Sequence, residues 1–121
     1  MTKKQAVELY SILRELKNGS MSKEGMSSFI LMRLELKSIH DSFENIRGEI
    51  SEQTKPEKFK EGDDTTEWNS LFQTTLLKWL NEEIEDINTN ILSKEDFIEL
   101  VSKNDLIGWI QDNLFENLVI K

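Results

Sequence analysis

The chain contains no cysteine, which excludes disulfides, thiolate metal sites and cysteine nucleophiles. A reducing cytoplasm fits that lack and is the expected compartment, with association to a virion as the alternative for a virus-encoded chain. It has one histidine and one proline, and its five glycines build neither a Gly-rich phosphate loop nor a nucleophile elbow. Long apolar runs are missing too. The longest, Phe29-Ile30-Leu31-Met32, is far short of a membrane span. MTKKQAVELY begins with charge but has no apolar stretch behind it, so no secretory signal is expected. Positive charge is scarce: 15 Lys and Arg stand against 23 Asp and Glu, a net charge of −8. A surface that tracks phosphates needs clustered Lys and Arg, so neither a nucleic acid nor a membrane is an expected partner.

What is present is helical periodicity. A chain of 121 residues, 37% hydrophobic and 31% charged, can bury one core. Thr2 and Gln5 form a capping box ahead of Ala6, Leu9, Leu13 and Leu16, with Asn18-Gly19 as the stop. Ser22 is the next N-cap. Behind it Phe29, Met32, Leu36, Ile39, Phe43, Ile46 and Ile50 alternate at spacings of three and four, which predicts a helix about 45 Å long. Ile30, Leu31 and Leu34 lie off this seam, so the beginning of the long helix should be covered on more than one side, with the first helix as the cover.

From about residue 51 to 65, SEQTKPEKFKEGDDT reads as an exposed, mobile linker. Asp64 and Glu67 form a second capping box. They open a helix that carries Trp68, Leu71, Phe72, Leu76, Trp79 and Leu80 on one face and ends near Asn81–Glu85. This helix should lie antiparallel to the distal half of the long one, over Phe43 to Ile50. A short strand is expected near Ile84–Ile91. Two small helices follow, one with Phe97, Ile98 and Val101, the other with Leu106, Ile107, Ile110 and Leu114. The fold class is therefore mainly α, a helical hairpin in a single domain over residues 1–121.

Three constellations invite chemistry. DINTNILSKEDF, residues 86–97, has the look of a calcium loop. Counting from Asp86 puts Ile91 where glycine is needed and Phe97 where the bidentate carboxylate belongs; counting back from Asp96 puts Ile87 and Thr89 at ligand positions. Both registers fail, and Ser93-Lys94-Glu95-Asp96 reads instead as a helix N-terminus. Glu49-x-x-Glu52 and Glu83-x-x-Asp86 imitate the paired acidic helices with which all-α nucleotide pyrophosphohydrolases hold magnesium, but a solvated helix end explains each pair as well. His40 has no second histidine beside it. Trp68 and Trp79 belong to an apolar helical face with few positive neighbours, unlike a base-stacking platform, and Lys55, Lys58 and Lys60 are offset by Glu57, Glu61, Asp63 and Asp64. No catalytic, cofactor-binding or metal residues are assigned.

The order of elements resembles a family of small tailed-phage proteins encoded among the tail genes of siphophages. The similarity runs through TKKQAVELYSILREL, the long charged helix SKEGMSSFILMRLELKSIHDSFENIRGEI, a variable polar middle, and LLKWLNEEIEDINTNILSKEDFIEL, in which Leu80-Asn81-Glu82-Glu83-Ile84 is the closest echo. The resemblance implies a phage or prophage protein that serves as an accessory in tail assembly, and it brings no catalytic residues.

The expected function is thus non-enzymatic and exercised through protein contacts. The expected contact residues are the seam, Phe29, Met32, Leu36, Ile39, Phe43, Ile46 and Ile50, together with Trp68 and Trp79; the seam is either satisfied inside the chain or paired with the same seam in a second copy, and the partner is another protein or that copy. An acidic inhibitor that imitates nucleic acid towards a basic host protein is the first alternative. A magnesium-dependent nucleotide hydrolase using Glu49, Glu52, Glu83 and Asp86 is the second.

Overall fold

Thr2 opens the first helix as its sequence requires. Its hydroxyl accepts the Gln5 N–H while the Gln5 side chain accepts the Thr2 N–H. The computed structural model describes residues 1–85 and 87–121. Among these the helices are α1 (Lys3–Leu13), α2 (Lys23–Thr54), α3 (Thr66–Leu80), α4 (Lys94–Ser102) and α5 (Gly108–Leu118). The fold is mainly α. Among the described residues of the span 84–91 no strand forms; single bridges lie on either side of it, Thr2 with Glu83 and Leu92 with Val119.

Several boundaries differ from expectation. α1 stops at Leu13, well before Asn18-Gly19, and Leu16 still reaches the core because the backbone tightens into Glu15 N–H to Ile12 and Leu16 N–H to Leu13 bonds. α2 runs on to Thr54, so the linker starts at Lys55. That linker is anchored on Trp68, whose ring meets Phe59 edge-on at 5.0 Å and has the Lys55 ammonium 5.8 Å from its centre. The second capping box does not form, since Thr65 is the N-cap of α3 and makes no side-chain cap bond. Asp64 instead accepts the N–H and hydroxyl of Thr66 at 2.9 and 2.7 Å. The Thr66 hydroxyl, and then its N–H, hold the Asp64 carboxyl below the usual range.

The core is built by α1, the first half of α2, α4 and α5. Phe29, Leu13, Leu36, Leu92, Leu100, Leu114 and Leu118 are its largest fully buried side chains. Each such burial is worth about 1.5–3 kcal/mol relative to exposure. α3 lies outside this core. It packs on α2, buries Leu76 alone in full, and contributes nothing to the central cluster. The distal part of α2 and α3 therefore form a two-helix arm leaving a four-helix body.

α4 is placed by contacts far apart in sequence. At its start, Asp96 accepts the Ser22 N–H and the Ser22 hydroxyl, both at 2.7 Å. At its end, Asn104 accepts the Lys17 N–H and donates to the Lys17 and Leu100 carbonyls. The turn between α1 and α2 is thus clasped at both ends by the α4 region. Gly19, at φ +68°, is required twice: the turn needs the left-handed conformation, and an added Cβ would sit 2.8 Å from Lys103 Cγ and 3.1 Å from the Glu99 carbonyl.

Candidate functional site

The seam of α2 is spent inside the chain. Phe29, Met32 and Leu36 are buried against α1 and the C-terminal helices, and Ile50 is buried beside α3. Ile39, Phe43 and Ile46 are half-buried. Trp68 donates its indole N–H to the Ser51 carbonyl at 3.0 Å, which fastens the start of α3 to the end of α2. Trp79 stacks on Phe43 at 6.0 Å, while the Lys3 ammonium lies 4.6 Å from its ring centre. These residues hold helices together. Phe29, Met32, Leu36 and Ile50 are thereby satisfied inside the chain, while Ile39, Phe43, Ile46, Trp68 and Trp79 keep part of their surface open.

The apolar residues beside the seam behave in the opposite way. α1 covers the seam side of α2 and leaves the other side bare, so Ile30 is 38%, Leu31 63% and Leu34 56% exposed. The expectation that α1 would cover them fails because a single helix shields only one face of its neighbour. A helical wheel at 100° per residue sets Leu31 and Leu34 roughly opposite Leu36. The sequence marked these residues as off the seam, and only the tertiary arrangement shows that no element follows to cover them.

The remaining candidates resolve into local roles. Asn88 Oδ1 accepts the Asn90 N–H, and the Asn90 amide donates to the Glu116 and Val119 carbonyls, both at 2.8 Å. Asn90 therefore caps the end of α5. Ser93 caps α4 through the Asp96 N–H, as its position predicts. Asp86, on which the first calcium register and one member of the magnesium set depend, lies outside the described residues. Glu49 and Glu52 flank Ser51, at the start of α3, whereas Glu83 follows its end, so a helix of about 22 Å separates them. Among the described residues no three His, Asp or Glu side chains gather as a metal site. His40 packs against Tyr10 with ring centres 5.0 Å apart, and its Nδ1 lies 4.0 Å from Asp41.

Comparison with family models, with curated proteins and with solved structures finds no match to this chain. Its own geometry has to carry the functional reading.

Electrostatically, the best-defined group is Asp96, which is 9% exposed. The Ser22 N–H, then the Ser22 hydroxyl, hold its carboxyl below the usual range, with a further contribution from Ser93 and opposition from burial. Its carboxylate thus sits at the N-terminus of α2 while its own backbone lies in the first turn of α4, and both dipoles favour the negative charge. Ser22 Oγ in turn accepts the Gly25 N–H at 3.0 Å. A side chain at Gly25 would overlap the Asp96 carboxylate. On the outside of α2, Lys37 and Asp41 pair at 2.7 Å, which raises the lysine and lowers the acid through their shared hydrogen bond. The Asp96 cluster is a structural joint between α2 and α4.

Proposed function

We propose that this protein is a non-enzymatic structural or assembly-accessory protein of a phage or prophage, and that it works through protein contacts. The uncovered face of α2 carries the reading. Leu31 and Leu34 lie on a regular helix of a folded body, so their exposure does not come from a frayed end. Scattered apolar residues are ordinary on a surface, but a clustered apolar stripe on a rigid helix is typical of an interaction site. The similarity in element order to tail-gene proteins of siphophages supports the phage setting and the assembly role.

Deleting the gene from its phage or prophage tests the biological part. Particles with absent or aberrant tails in electron micrographs are expected, and normal tails at undiminished titre refute it. Light scattering over a wide concentration range, with Leu31→Asp/Leu34→Asp alongside, tests whether the partner is a second copy. A mass fixed at 14.2 kDa at every concentration removes self-association and leaves a different protein as partner.

A further inference from the structure

Two hollows flank α1 on the side facing α5. The larger, about 580 Å³, has Val7, Leu9 and Ile12 of α1 on one side and Trp109 and Asn113 of α5 on the other. The second, about 360 Å³, continues from Ile12 to Leu16, Leu106 and Ile110. Ile12 lines both, so the two lie end to end as a groove that begins beside Gln5 on α1 and ends at Leu16 in the turn beyond it. Trp109 is 65% exposed in its wall, a large aromatic surface left mostly open.

The charges along this groove have one sign. Glu8 lines the first hollow and Glu15 and Asp105 line the second, and among the described residues neither lysine nor arginine lines either one. At the exposed edge Arg14 pairs with Glu15, its Nε 3.5 Å away. Glu8 and Ile12, four apart on α1, share one helical face, and Glu15 follows in the turn beyond its end.

We propose that this groove is the docking site for a basic amphipathic helix of a partner protein. It rests on the reading that the protein works through protein contacts, and it names both the surface and the chemistry of what binds there. The partner's apolar stripe covers the half-buried Ile12, Leu106 and Ile110 and packs against the Trp109 ring, while its Lys and Arg residues meet Glu8, Glu15 and Asp105. Helix-in-groove recognition uses this arrangement: apolar anchors at helical spacing give affinity, and flanking charges set orientation and choice of partner. A second copy of this chain is a poor occupant, because at net charge −8 it would bring more carboxylates to an acidic groove.

The test is titration of the ¹⁵N-labelled full chain with three synthetic 16-residue helices, followed by amide and indole shifts. One peptide is Lys/Leu amphipathic, one has the same leucines with glutamate for lysine, and one is the Lys/Leu composition scrambled. The basic amphipathic peptide is expected to shift the Trp109 indole and the amides of α1 and α5, with the other two at least about tenfold weaker. Glu8→Lys/Glu15→Lys is expected to weaken binding by about tenfold or more, and Trp109→Ala by a similar factor. Glu57→Lys/Glu61→Lys, the same change of net charge placed in the linker, should leave binding within about twofold. Equal binding of the acidic peptide, or equal loss in the linker variant, overturns the proposal. Shifts confined to Leu31 and Leu34 overturn the groove but leave the protein-contact reading standing. No shift on either surface, together with normal particles from the deletion strain, removes both.

Discussion

Replacing Asp96 by alanine should cost more than any other single polar substitution at the joint between α2 and α4. The side chain makes two hydrogen bonds to Ser22, each with an ionised acceptor and each 2.7 Å long. Bonds to charged groups contribute about 1.5–3 kcal/mol apiece. Ser22 is exposed, so water re-solvates part of what the truncation frees, and a loss of about 2–4 kcal/mol is expected. For a domain of this size that corresponds to a fall in Tm of roughly 8–16 °C. Asp96→Asn keeps one acceptor and the shape but loses the charge, and should cost about 1–2 kcal/mol. Acidity separates the electrostatic contribution from packing. The folded carboxyl lies below its ordinary value, so the unfolded chain takes up the proton first as pH falls. The stabilisation is complete above the unfolded pKa, about 3.9, and drains away as pH falls through the lower folded value. Urea unfolding at pH 7 and pH 3 should therefore show the gap between wild type and Asp96→Asn shrinking at the acid end. A gap of the same size at both, or an alanine variant within about 0.5 kcal/mol of wild type, would refute the account of the joint.

Further outcomes follow from neighbouring features. Gly25→Ala should destabilise by about 2 kcal/mol, because its methyl group displaces the Asp96 carboxylate, whereas Gly48→Ala, with open space around it, should gain about 0.5–1 kcal/mol of helix propensity. Chemical denaturation of both variants checks the contrast. Leu36→Ala should lose about 2–4 kcal/mol while Leu31→Ala stays within about 0.5 kcal/mol, since one is fully buried and the other mostly exposed. Asn90→Ala should lower stability by about 1–2 kcal/mol through the uncapped end of α5, and adding calcium should not restore it. A thermal shift with and without the ion decides that point.

What could be read from the sequence was whatever a single helix determines by itself. The spacing of Phe29 through Ile50 located α2 and its buried side, and Thr2, Ser22 and Ser93 marked helix starts that the structure keeps. Local pattern failed where two segments compete for one group. The Asp64–Glu67 box was an equally good local solution, but the Thr66 hydroxyl took the Asp64 oxygen instead. Asp96 was legible as part of a cap, but not as the partner of Ser22, which lies 74 positions away. Ile30, Leu31 and Leu34 were recognised as apolar surface needing cover, yet periodicity cannot count how many neighbours a helix receives. The groove beside Trp109 was illegible for the same reason: its two walls come from opposite ends of the chain.

The two-helix arm has a consequence for how the molecule loosens. Its backbone amides are guarded by little more than Ile50, Leu76 and the rings of Phe43, Phe59, Trp68 and Trp79, outside the main cluster. Deuterium should enter α3 and the last turns of α2 well before it reaches α1 or α5, because opening there leaves the rest intact. The body can then stay rigid while the arm bends against it.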